Sequence, residues 1–155
     1  MAQDWLSSIK NISGLISGLS SIIKNNRATK DLLLRELKLN IKAFEIAQKR
    51  IDIDYDKLLG LLKNERIKKS RENRFVFSSI KKGRIKKRDI NDSRNKRYIG
   101  KDCEWLFKNI DEKIEDLRNQ KTYYDSLDAV ENSNIALQFS NLFFKLKLLA
   151  EFIYR

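Results

Sequence analysis

Sixteen lysines and arginines crowd into residues 63–101 against four acidic side chains, and this span carries the whole formal excess of +12. Cations at that density repel one another, and a polyanion relieves the repulsion. The chemistry on offer is phosphate binding. Its candidate contacts are Lys68, Lys69, Arg71 and Arg74, then Lys81, Lys82, Arg84, Lys86, Lys87 and Arg88, then Arg94, Lys96 and Arg97. Phe75, Phe77 and Tyr98 interleave with them as rings able to stack on unpaired bases, and Tyr98 joins the candidate site. A competing reading is internal. Asp111, Glu112, Glu115 and Asp116 follow the basic run at helical spacing, an acidic face onto which the run can fold.

Other chemistries fall away by residue type. With no histidine and Cys103 as the only cysteine, there is no imidazole base, no Cys–His pair, no zinc cage and no disulfide framework. Gly14-Leu15-Ile16-Ser17-Gly18 has its serine in the wrong slot for a nucleophile elbow. Asp52, Asp54 and Asp56 resemble the opening of a calcium loop, but Lys57 stands where the loop needs glycine and Lys63 where it needs glutamate. Helix capping is the better account of these aspartates. The expectation is a non-enzymatic chain with no metal, no cofactor and no small-molecule substrate.

The elements that must carry the cations read as helices. A chain of 155 residues with 41% apolar and 35% charged side chains is enough for one domain, residues 1–155. No proline and five glycines suit long helices. Trp5, Ile9, Ile12, Ile16, Leu19 and Ile23 keep one face of an amphipathic helix over residues 4–24. A second helix carries Leu34, Leu37, Ile41, Phe44 and Ile51. A companion line of Leu32, Leu39, Ile46 and Ile53 predicts that it touches more than one partner. Asp54 or Asp56 caps a third helix running to about residue 72. Residues 73–100 then read as a short helix ended by Gly83, with a small hairpin as the alternative. Helical order returns at a cap on Asp102, with Cys103, Leu106, Ile110, Ile114 and Leu117 on one face. A cap at Asp128 opens a last helix through Ile135, Phe139, Leu142, Leu146, Leu149 and Ile153, about 39 Å long at 1.5 Å per residue. The predicted fold is all-α: an elongated antiparallel bundle of four to five helices, with a helical pair at 102–155 and the basic connection projecting from one end.

Opposite the first apolar stripe lie Ser7, Asn11, Gly14, Gly18 and Ser21. Small side chains let another backbone approach, so Ser7, Gly14, Gly18 and Ser21 are candidates for self-association. The same helix is a candidate for contact with a lipid surface. No stretch is long and apolar enough to span a membrane, and residues 1–4 offer no positive region of a secretory signal. A single thiol fits a reducing cytoplasm. The leading expectation is a basic helical protein that binds RNA or DNA backbone through residues 63–101, as one component of a larger assembly. The alternatives are a self-assembling or membrane-peripheral effector acting through its N-terminal helix, and an accessory or inhibitor protein binding an acidic protein partner.

Overall fold

The computed structural model describes residues 4–24 and 28–155; the expectation about residues 1–3 lies outside this range. Seven α-helices are present among the described residues: α1 Asp4–Ser7, α2 Ile12–Ile22, α3 Thr29–Gln48, α4 Tyr55–Leu61, α5 Glu65–Glu72, α6 Cys103–Tyr124 and α7 Ile135–Tyr154. Short 3-10 turns at Phe77–Ser79, Lys87–Asp89, Ser93–Tyr98 and Leu127–Ala129 fill the connections. The class is all-α, as predicted. The count differs because two helices that the apolar spacing draws as continuous are each broken once. Among the described residues no helix is long and apolar enough to cross a membrane.

The core forms where the predicted stripes meet. Helix α7 packs against α2, α3 and α6, burying Phe139, Leu142, Phe143, Leu146 and Leu149 completely. Phe44 of α3 lies 5.2 Å from Phe143 and 6.5 Å from Phe139, ring centre to ring centre. Tyr55 stacks on Phe139 at 4.8 Å and its hydroxyl accepts from the Trp5 indole N–H at 3.2 Å. Aromatic pairs at these separations add directional attraction to the area they bury. Asn134, not Asp128, caps α7, its side chain accepting the N–H of Leu137 at 3.0 Å. Asp128 falls inside the preceding 3-10 turn, so α7 has 20 residues and a length near 30 Å instead of 39 Å.

The two breaks share a cause. Between α1 and α2, Asn11 sits in the left-handed region at φ 64°, and the helical ladder stops. Gln48 of α3 serves the carbonyls around this break, its Nε2 donating to Leu6 at 2.9 Å and to Ile9 at 2.7 Å. Between α4 and α5, Asn40 of α3 bonds both backbone groups of Lys63, each at 2.7 Å. Glu36, also on α3, accepts from the N–H groups of Arg66 and Ile67 at 2.8 and 3.2 Å and so caps α5. Free backbone groups at a helix end need partners when buried, and three polar side chains of one helix provide them here. Burial of Glu36 raises its carboxyl pKa above the ordinary value, against the pull of the two N–H bonds.

The N-terminal cap at Asp54 and the cap at Asp102 are as predicted, accepting from Lys57 and Trp105 N–H groups at 3.1 and 2.9 Å. Asp56 instead accepts from the Leu127 N–H and the Ser126 hydroxyl, which ties α4 to the turn before α7.

The face of small residues on α2 is partly covered by its own chain. A β-carbon at Gly18 would stand 2.7 Å from the Tyr154 ring, so the close approach expected of a second copy is made there by α7. At Ser21 the hydroxyl donates to the Gly18 carbonyl at 2.7 Å, while Ser7 and Gly14 are exposed. We expect Gly18→Ala to cost about 1 kcal/mol by displacing that ring. In a Tyr154→Ala background it should gain about 0.5–1 kcal/mol through helix propensity. Thermal denaturation of the four variants checks this, and equal effects in both backgrounds reject the contact.

Candidate polyanion-binding surface

The basic segment is irregular chain held to a helical frame. Arg84 and Asp102 form an isolated antiparallel bridge. Ile85 donates to the Lys101 carbonyl and accepts from Gly100 N–H, both at 2.8 Å. Ile85 is buried, so it nails the loop to the start of α6. Gly83 and Gly100, at φ 83° and 90°, supply left-handed turns that an L side chain would strain. Neither the predicted helix nor the predicted hairpin forms; Gly83 follows a single 3-10 turn at Phe77–Ser79.

The cations divide into two groups. Lys68 pairs with Glu115 at 2.6 Å and Arg71 with Asp111 at 2.7 Å. Both are engaged by the acidic face of α6, as in the internal reading of the basic run. Arg94 is also engaged: it bonds the Ser140 hydroxyl at 2.7 Å, lies 4.0 Å over the Phe144 ring and sits 3.7 Å from Asp92. Lys81 donates to the Arg155 carbonyl at 2.8 Å. Arg97 and Lys101 stand over Tyr98 and Trp105 at 5.0 and 4.8 Å. Lys69, Arg74, Lys82, Arg84, Lys86, Lys87, Arg88 and Lys96 are exposed and make no ion pair among the described residues. So are Lys63 and Arg66, which lie outside the contact set expected from sequence.

Burial removes two of the three proposed stacking rings. Tyr98 is 6% exposed and Phe77 3%; Tyr98 packs on Trp105 at 5.7 Å and Phe77 on Phe107 at 5.4 Å. A ring so enclosed has no free face for a base. Phe75 is different. It is half-buried, meets the edge of the Phe77 pair at 5.2 Å, and borders two separate grooves. One groove, of about 380 Å³, includes Val76, Lys81, Arg84 and Glu104. The other, of about 220 Å³, includes Arg66, Lys69 and Asn73.

Beneath this surface lies a polar joint that sequence reading missed. The Asn64 amide, 1% exposed, donates to Asp111 at 2.8 Å and to Glu115 at 2.9 Å. Its oxygen accepts from Arg118 at 2.6 Å. Arg118 continues to Glu115 and to the Leu62 carbonyl, both at 2.9 Å. The Asn64 amide, followed by Lys68, draws the Glu115 carboxyl pKa down to about 2. Nothing in local spacing marks Asn64, because its partners lie 47 or more residues away.

No group of His, Cys, Asp and Glu among the described residues could hold a metal ion. Cys103 is buried, and burial, with Asp102 and Glu104 beside it, raises its thiol pKa to about 12. A thiol so protonated is a packing residue and a poor nucleophile. Comparison with protein-family models, curated proteins and solved structures gives no match.

Proposed function

We propose that this chain is a non-enzymatic nucleic-acid-binding protein that grips the phosphate backbone through the exposed cations of residues 63–101, as one component of a larger assembly. One observation supports the reading above all. Thirteen of the sixteen cations in this span make no ion pair with a carboxylate among the described residues. The contact set proposed is Lys63, Arg66, Lys69, Arg74, Lys82, Arg84, Lys86, Lys87, Arg88 and Lys96, every one exposed. Cations displayed without internal partners leave the field of the segment open to an external anion.

The test is a binding titration with single-stranded and duplex nucleic acid over a range of salt. If ~6–8 phosphates are neutralised, log affinity falls against log salt with a slope of roughly −5 to −7. Reversing Lys82, Arg84, Lys86, Lys87 and Arg88 to glutamate should flatten that slope by about 4–5 and leave the fold intact, because all five are exposed. Unchanged affinity in the reversed protein rejects the reading. Binding of anionic vesicles or of an acidic protein, with none of nucleic acid, replaces it with one of the alternatives.

A further inference from the structure

The geometry around Phe75 points to a single-stranded nucleic acid as the ligand, with one base stacked on the Phe75 ring and the backbone crossing from one neighbouring groove to the other. We infer this on top of the proposed nucleic-acid reading, which it sharpens by naming the strand state.

Phe75 is half-buried and borders both grooves. Arg66 and Lys69 flank one groove; the exposed Arg84 flanks the other. A phosphate chain passing through both meets a cation before and after the ring. An aromatic platform set between phosphate contacts is the arrangement that accepts any base by its π-face. Paired bases inside a duplex cannot present that face, so the platform serves only unpaired nucleotides.

The ring is held for this use. Arg74 adopts φ 56°, turning the chain sharply after α5. The N–H of Phe75 then donates to the Ser70 carbonyl at 2.9 Å. Phe77 supports the ring edge-on, the two planes at 82°. Val76 beside it is 64% exposed, extending the apolar contact available to a base.

Asp102 and Glu104 also border the larger groove. Carboxylates there repel a phosphate but accept from the exocyclic amino group of a base. They therefore orient the strand with bases inward at the ring and phosphates outward on the cations.

The experiment compares fluorescence-anisotropy affinities for a labelled single-stranded oligonucleotide and for its duplex, at one fixed salt concentration. Phe75→Ala should weaken single-strand binding about 5- to 150-fold, the range of one lost base stack. Duplex binding and the salt slope should stay unchanged. Phe75→Leu keeps apolar packing without an aromatic face and should show the same selective loss, whereas Phe75→Trp should keep or strengthen single-strand binding. Circular dichroism confirms that each variant is folded. Equal losses on both probes, or no loss in Phe75→Leu, overturn the platform while the backbone reading stands. A wild-type protein that binds neither probe overturns both.

Discussion

Asn64→Leu should lower the folding stability by about 2–4 kcal/mol, the cost of leaving buried and half-buried charged groups each one hydrogen bond short. Leucine fills a similar volume, so the loss measures hydrogen bonding and not a cavity. Removing the amide takes one donor from Asp111, which is 4% exposed, one donor from Glu115, and the acceptor from Arg118. Arg71 still faces Asp111, but a single guanidinium contact does not replace the lost N–H. The joint is also where α4 turns into α5, so its failure should loosen the base of the cation-bearing segment. Urea denaturation followed by circular dichroism measures the change, and a loss below about 1 kcal/mol refutes the role given to the amide.

Acid sensitivity provides a second readout of the same joint. Glu115 has its pKa lowered from 4.5 to about 2 by Asn64 first and Lys68 next. A carboxyl with a depressed folded pKa stabilises the fold above its unfolded value, and that contribution is lost as pH falls through the folded value. The wild type should therefore lose this contribution between about pH 4.5 and pH 2. In Asn64→Leu the Glu115 carboxyl moves back towards its ordinary range, so the stability difference between the two proteins should narrow as pH falls from about 4.5 to 2.

Lys145→Met should have the opposite sign and stabilise the protein by about 1–3 kcal/mol at pH 7. Lys145 is 3% exposed; its ammonium donates to the Asn109 side-chain oxygen and stands 5.6 Å over the Tyr98 ring. Burial lowers its pKa from 10.5 to about 8, Lys113 and Arg97 push in the same direction, and Glu112 opposes them. Between those two values the unfolded chain holds more protons than the folded one, so stability rises with pH from about 8 and levels above 10.5. Methionine keeps the packing volume and removes the buried charge, while the half-exposed Asn109 can turn to water. Melting temperatures of both proteins across this range should converge as pH rises. A constant difference, or a destabilised variant at pH 7, refutes the account.

Much of the fold is legible in the chain. The stripe of Phe139, Leu142, Leu146 and Leu149 reads as one apolar face of the last helix, and the structure buries it fully. The caps at Asp54 and Asp102 follow from residue type and position. The companion line predicts that the second helix touches more than one partner, and α3 packs against α2, α4, α5 and α7; the line itself is not all covered. Leu39 and Ile46 remain 44% and 49% exposed, since heptad spacing says which residues share a face but not whether another element covers it.

The candidate site is half legible. That the charge excess sits in residues 63–101 is a property of composition alone. Which of those cations escape an internal ion pair is not, and neither is which aromatic ring stays half-buried. Phe75, Phe77 and Tyr98 look alike in sequence, yet packing against α6 encloses two and leaves one between grooves.

By itself, then, the sequence determines helicity, the apolar faces and the place of the charge, because these rest on residue type and on neighbours within a turn or two. Tertiary structure alone decides where helices break and which cations are neutralised. Both depend on polar partners far apart along the chain: Gln48 answers the carbonyl of Leu6, and Asp111 answers Arg71. Such pairs become neighbours only when the core closes, and no local periodicity records them.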